Sequence, residues 1–401
     1  GLDYPEAAAF LDTLSVVIRG GEAVRKSAAL QAAVLTAVNT AKRCFRRVSV
    51  ELPESIALLI PWPADSLNEA VDYLLSNTPA AEGSLSLISV GTETSEGWNI
   101  VASGWRALVT FGGTKTQIFN GPDFALGGVL AGAIGVHHAF VDATGIDQTL
   151  RWKRDGVSLW RPDLLWDTAP DGPELSALPD KIWFLGLGHL GQAYAWTMAL
   201  LPYGAPWNCE IMIQDIDQVS VANFGTGLLT NASDVTQRKT RMVERWLSDR
   251  NFEVLLCDRK FNENTVRSSE EPAVALCGFH DANSRRILDR AGFELIVEAG
   301  LGAEIADFDQ LSTHKFPNSH FTPAENWSEN AKIGLRKERL AQLGGEGICG
   351  AIELAGKAVS TSFVGAAAAA FSWAEILRNY HKGASFSRQH IDLRSLSDTS
   401  A

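Results

Sequence analysis

Cysteine is scarce in this chain, and none of it is paired at close range. The five residues Cys44, Cys209, Cys257, Cys277 and Cys349 form an odd set with no CxxC spacing. That argues against a disulfide scaffold and against a structural zinc ribbon. Positive charge is also short: 35 lysines and arginines face 47 acids, for a formal net charge of −12. That balance argues against non-specific nucleic-acid binding, which needs a basic surface to displace counterions, so nucleic acid is not an expected partner. No uninterrupted apolar run is long enough to cross a bilayer, because the alanine-rich stretch after Gly365 is broken by Ser372, Trp373 and Glu375. No membrane association is expected. The chain starts at Gly1 without an initiator Met or a basic-then-apolar leader, so a cytoplasmic location is the default expectation.

What is present is the composition of an ordinary globular protein, with 46% hydrophobic and 20% charged residues over 401 positions. That length allows two or three domains, each with a core of its own. Residues 1–160 carry helix patterns in "AAAFLDTLSVVIRG" and in "SAALQAAVLTAVNTAKRCF", where Ser27 is placed to cap the second. "IALLIPW" and "GWRALVTF" read as strands, with the helix "DSLNEAVDYLL" between them. A polar, proline-bearing linker follows over 161–180.

From Lys181 the texture becomes a regular alternation. "KIWFLGLG", "CEIMIQD", "FEVLLC", "AVALCG" and "FELIVEAGLG" read as strands, spaced by helices that include "SDVTQRKTRMVERWLSDR" and Asn283 to Ala291. Apolar strands spaced in this way predict a mostly parallel, Rossmann-like α/β sheet for residues 181–401. "FALGGVLAGAIGVHHAF" echoes "FVGAAAAAFSWAEIL", each with an aromatic start, a small-residue run and a bulky close. Two unrelated buried helices give the same pattern. Read instead as a repeat, the echo makes the chain a degenerate tandem whose first copy lacks the glycine turn.

That turn is Gly186-x-Gly188-x-x-Gly191, set between a strand and a helix. The first glycine permits the bend, the second a close backbone approach, and the third close helix–strand packing, while the helix N-terminus adds partial positive charge. The glycines alone do not decide between a redox dinucleotide and ATP. Asp215, at the end of the next strand, can accept ribose hydroxyls in either case. Asp217, Asn223, Lys239 and Asp281 then add an acid, an amide, an amine and a second acid near the carboxyl ends of neighbouring strands. Such a set suits magnesium and a triphosphate, and hydride transfer has no need of it.

"GLGHLG", "DIDQVSVANF", the lysine of "QRKTRM" and "HDANSRRILDRAG" occur here in the order and approximate spacing of the ThiF/MoeB superfamily. The chain resembles those adenylyltransferases, and among them the ubiquitin-activating enzymes of bacterial ubiquitin-like conjugation systems. The resemblance implies a degenerate, inactive adenylation-like α/β domain at 1–160 and an active domain at 181–401 with a crossover loop at about 312–350. It implies ATP and Mg2+ as cofactors, with Gly186, Gly188 and Gly191 on the phosphates and Asp215 on the ribose. Asn223 and Lys239 would contact phosphate oxygens, and Asp281, with Asp217, the metal; Arg286 would be structural. One departure is plain: where the family continues Asn-Leu-x-Arg-Gln, this chain reads "NFGTG", with Thr226 and Gly227 at the last two positions. Another arginine must replace the lost cation, or adenylation is impaired. Arg19, Arg25, Arg43, Arg46 and Arg47 are the candidates from the first half.

Cys349 is the candidate nucleophile, at the end of a long polar stretch, and a structural cysteine under the last helix is the alternative. The expected activity is adenylation of the C-terminal carboxylate of a ubiquitin-like protein, thioester formation on a cysteine, and transfer to a conjugating-enzyme-like partner. The chain would act as a homodimer or as an in-chain pseudo-dimer. Alternatives are adenylation of a peptide, sulfur-carrier or tRNA-linked substrate, a non-catalytic nucleotide-binding scaffold, and an NAD-dependent oxidoreductase.

Overall fold

The computed structural model describes residues 4–83, 86–92, 94–113, 119, 121–204, 208–279, 281–302, 307–327 and 361–400. Its first half contains α1 (Tyr4–Leu11), β1 (Ser15–Gly20), α2 (Ala28–Ala41), β2 (Arg47–Glu51), α3 (Leu67–Leu75), β3 (Ser86–Val90), β4 (Trp98–Ala102), β5 (Arg106–Phe111), α4 (Ala125–Ala143) and β6 (Arg154–Ser158). The second half contains β7 (Lys181–Leu185), α5 (His189–Leu200), β8 (Glu210–Gln214), α6 (Lys239–Ser248), β9 (Glu253–Cys257), β10 (Val274–Cys277), α7 (Ala282–Arg285), β11 (Leu295–Leu301), β12 (Gln310–Phe316), α8 (Pro323–Asn326), α9 (Ser362–Tyr380) and β13 (Arg388–Asp392).

Each half builds one sheet, in the orders β2-β1-β3-β4-β5-β6 and β13-β12-β11-β10-β7-β8-β9. In the second sheet β9, β8, β7, β10 and β11 run parallel, and β12 and β13 add antiparallel. The chain reverses its direction of travel across this sheet between β7 and β10, which is the doubly wound arrangement with its crevice at that switch point. The first sheet repeats the plan with one strand fewer: β2, β1, β3 and β4 are parallel, and β5 and β6 close it antiparallel. Helices α4 and α9 hold equivalent places, each between the two antiparallel strands that end its sheet. The two sequences that echo one another are therefore topological counterparts.

The core lies where the halves meet. Helix α4 packs on α2, β4 and β5 and also on α9, which in turn covers α5, β11 and β12. The approach of α2 to α4 is so close that a Cβ on Gly128 would meet the Ala29 carbonyl oxygen at 1.8 Å. Against expectation, α4 is long and apolar enough to cross a bilayer, alone among the described helices, but 89% of its apolar window is buried. A helix that is apolar all round is what a buried core position requires.

Several elements differ from the sequence reading. "SVVIRG" is strand β1 and not the continuation of α1, since Val16, Val17 and Ile18 are β-branched and pair with both β2 and β3. "IALLIPW" is irregular, because side chains take the place of a neighbouring strand: Gln31 donates to the Ala57 carbonyl at 2.8 Å and accepts from the Leu59 amide at 2.8 Å, and Asn68 accepts from the Ile56 amide at 3.1 Å. Helix α6 starts at Lys239 and not near Ser233, since Thr236 has a φ of +71°, outside the helical region. β12 extends through Phe316, so the first residues assigned to a crossover loop are sheet. The rest of that loop beyond residue 327, with Cys349, lies outside the described residues.

Candidate active site at the sheet switch point

The glycine turn leaves β7 at the crevice. Gly186 has a φ of +86°, and a Cβ there would touch the Phe279 ring at 3.0 Å. Its amide donates to the Gln214 carbonyl at 2.8 Å, which ties the turn to the end of β8. A Cβ on Gly188 would meet nothing within 4 Å, whereas one on Gly191 would lie 1.9 Å from the Gly186 carbonyl oxygen. The three glycines thus do three jobs: bend, open approach and tight packing. Gly188 also caps α5, which brings the positive end of the helix dipole to the turn. The equivalent exit from β1 is filled, since a Cβ on Gly20 would strike the Leu52 side chain at 2.4 Å and one on Gly21 the Thr92 side chain at 2.6 Å.

Asp215 binds the turn itself. Its carboxylate accepts from the Leu187 amide at 2.7 Å and the Asp217 amide at 2.8 Å. Asp217 pairs with Lys239 at 2.9 Å; the acid is half exposed and the amine mostly buried at the start of α6. Asn223 accepts from the Ser220 amide at 2.9 Å and the Ser220 hydroxyl at 3.3 Å. Asp281 sits beyond β10, across the switch point from Gly186, and caps α7: it accepts from the Asn283 amide at 3.3 Å, the Ser284 amide at 3.1 Å and the Ser284 hydroxyl at 2.7 Å. Burial works to raise its pKa, but the Ser284 hydroxyl and these amides outweigh it, so the carboxyl is held below its ordinary range and stays ionised.

Asp281 opens onto a cleft of about 420 Å³ shared with Lys260, Asn262, Arg286 and Arg290. Lys260 and Asn262 escaped the sequence reading. Their signal was topological: they follow β9, so they leave the sheet at the same carboxyl edge as Gly186, Asp215 and Asp281. No group of three or more potential His, Cys, Asp or Glu metal ligands occurs among the described residues. Asp217 and Asp281 are the carboxylates a divalent cation would draw on here, the first already paired with Lys239 and the second capping α7.

Of the five arginines considered for the missing cation, Arg43 alone is hydrogen-bonded to the second half among the described residues. Arg19 pairs with Glu51, Arg25 with Glu22, Arg46 with Asp12, and Arg47 donates to the Asp12 carbonyl. Arg43 donates to the Phe224 carbonyl at 2.7 Å and the Leu228 carbonyl at 2.8 Å, and so lies on the "NFGTG" loop. The space at Gly227 is filled by a glutamine from elsewhere, since a Cβ there would meet the Gln192 side chain at 2.6 Å.

The described cysteines make poor nucleophiles. Burial raises the pKa of Cys44 and Cys209, and pushes Cys277 up to about 12. Cys257 is buried in strand β9. His280, which precedes Asp281 in the sequence, lies outside the described residues.

A doubly wound sheet with an open glycine turn and acids at neighbouring strand ends is the frame of a nucleotide-binding α/β protein, and its relatives are E1-like proteins. Residues 178–383 match the BilD C-terminal domain and residues 15–159 the BilD N-terminal domain. The chain belongs to the BilD family of bacterial E1-like proteins. It is 35% identical over 392 residues to the bacterial E1-like protein BilD of Collimonas sp. (strain OK412), covering 94% of this chain and 85% of that one. Among solved structures, E. coli MccB with ATP shares 16% identity over 75% of this chain and 93% of its own, with a TM-score of 0.37. E. coli tRNA N6-threonylcarbamoyladenosine dehydratase TcdA, in complex with AMP, shares 16% over 51% of this chain and 86% of its own, with a TM-score of 0.36.

Proposed function

We propose that this chain uses ATP to adenylate the C-terminal carboxylate of a ubiquitin-like protein. The observation that carries the reading is an open glycine turn after β7 with acids at the ends of the neighbouring strands β8 and β10. The E1-like name of its 35% identical relative supports the substrate class. In this reading Gly186, Gly188, Gly191 and the start of α5 hold phosphates, Asp215 meets the ribose with its remaining lone pairs, and Asn223 and Lys239 contact phosphate oxygens. Asp281, with Asp217, holds magnesium, which when bound supplies neutralising charge to the triphosphate. A carboxylate oxygen of the carrier attacks the α-phosphorus, the bond from that phosphorus to its bridging oxygen breaks, and pyrophosphate leaves. The chain's own contribution is positioning and charge.

The acyl group then passes to a thiolate, with AMP as leaving group, and on to a conjugating-enzyme-like partner. Cys209, Cys257 and Cys277 are buried and Cys44 is half-buried with its thiol pKa raised, so this reading gives the step to Cys349. The two halves act as an in-chain pseudo-dimer, in the cytoplasm. Carrier-dependent ATP–pyrophosphate exchange tests the reading: Asp281→Ala abolishes it, while Cys349→Ala keeps exchange and loses the reducible carrier adduct. A scaffold that binds ATP without exchange is the second reading, favoured by Thr226 at the arginine position and by an Arg43 whose guanidinium is spent on carbonyls.

A further inference from the structure

The loop 224–230, directly after Asn223, is not held by its own half of the molecule alone. Arg43, two residues past the end of α2, reaches it with both terminal nitrogens. One donates to the Phe224 carbonyl at 2.7 Å and the Thr230 carbonyl at 3.4 Å, the other to the Leu228 carbonyl at 2.8 Å and the Thr230 carbonyl at 3.5 Å. Asn39, one turn earlier on α2, donates to the Leu228 carbonyl at 3.0 Å and accepts from Arg43 at 3.4 Å. From the other side Gln192 of α5, fully buried, accepts from the Leu229 amide and the Thr230 hydroxyl, each at 3.0 Å. Inward-facing carbonyls need a donor, and a planar guanidinium can serve several of them at fixed geometry.

The loop hangs in turn on Asn223, whose carbonyl accepts from the Gly227 amide at 2.8 Å and the Thr226 amide at 3.4 Å. Movement of 224–230 is therefore movement of Asn223. We propose that Arg43 is a positioning residue of the nucleotide site, acting through this loop on Asn223 and making no contact with the nucleotide. The first half of the chain thereby sets the geometry of a site built in the second. A loop without its own arginine and glutamine is braced instead by Arg43 and Gln192. This inference rests on the ATP reading above.

The test combines hydrogen exchange with a mutant cycle on the full-length protein. Arg43→Ala accelerates amide exchange at Gly227 and Leu229 and raises the Kd for magnesium–ATP about tenfold, the size typical of coupling between neighbouring residues. Asn223→Ala added to Arg43→Ala then costs nothing further, whereas general destabilisation leaves the two penalties multiplicative. Arg43→Lys, which keeps a donor, restores part of the affinity and covers the case in which the alanine variant does not fold. Arg46→Ala, in an exposed pair with Asp12, serves as the control. Unchanged exchange over 224–230, or penalties that multiply, overturns the proposal. A wild-type protein that binds no ATP sinks the functional reading, whereas ATP binding indifferent to Arg43 sinks this inference alone.

Discussion

At the scale of single residues, the glycine turn separates two effects that a sequence motif merges. Gly191 is a packing position, because a Cβ 1.9 Å from a backbone oxygen cannot be accommodated by turning a side chain. Gly191→Ala is expected to destabilise the fold by about 1–3 kcal/mol, read as a lower urea midpoint. Gly188 faces open space and has a φ of −72°, so Gly188→Ala keeps the wild-type midpoint and instead weakens ATP binding by filling the approach. A matched loss of stability in both variants would remove the distinction. His189, the first residue of α5, gives a pH signature. Both ring nitrogens are buried and unpaired among the described residues, although the residue keeps some exposure, and burial lowers its pKa to about 4. The Thr361 and Ser362 carbonyls act on the ring without completing hydrogen bonds of good geometry. Between the ordinary value of 6.5 and about 4 the unfolded chain binds the proton and the native one does not. Stability is therefore full above the ordinary value and falls with decreasing pH through that window. His138, whose pKa is lowered by burial and by His137, acts in the same direction. Urea midpoints taken across the window should fall toward acid in the wild type and fall less in His189→Gln.

At the scale of elements, what could be read was what is local. Ser27 as the cap of α2 was legible, because a cap and the amide it serves are neighbours in sequence; Ser27 accepts from the Leu30 amide at 3.1 Å. The second cap on that helix was not. Asp123 accepts from the Ala28 amide at 2.7 Å, the Ala29 amide at 3.0 Å and the Ser27 hydroxyl at 2.8 Å, from more than ninety positions away. Asp123→Ala leaves all three donors short and should cost about 1–2 kcal/mol in a urea melt, more than Ser27→Ala, which removes a single acceptor. Equal costs would show that water replaces the distant cap. The same division explains the site. The glycine turn and the strand-end acids were legible because strand, turn and helix are contiguous. The bracing of 224–230 was not, because Arg43 lies 181 positions from Phe224. The misread strands have related causes: Val16 to Ile18 fit either period over so short a run, and the extended pattern of 56–62 gave no hint that Gln31 would take the place of a neighbouring strand.

At the scale of the whole molecule, the halves are joined through their cores rather than by a hinge. Trp196 of α5 donates to the Thr36 hydroxyl of α2 at 3.1 Å, and Ser362 of α9 donates to the Thr40 carbonyl at 2.9 Å. His137 of α4 meets Asp309 at 3.0 Å, and Arg394 donates to the same carboxylate at 2.6 Å. The chain end returns to the first sheet, where Asp155 of β6 accepts from the Leu396 amide at 2.8 Å and the Ser397 amide at 3.0 Å. Helix α9 is buried along nearly its whole length, so removing the first half would expose the faces of α5 and α9 that α2 and α4 now cover. That much apolar surface cannot remain in water without association. The chain should therefore unfold in one transition, with far-UV dichroism and tryptophan fluorescence tracing the same urea curve, although two sheets and two family-matched segments invite the expectation of two. Asp155→Ala, which releases the returning chain end, should lower that single midpoint without splitting it. Residues 161–401 expressed alone should aggregate or self-associate, and should not bind ATP as the whole chain does, because Arg43 and α2 are gone. Two resolved transitions, or a monomeric second half with wild-type ATP affinity, would mean that the first half is an appendage and not part of the site's framework.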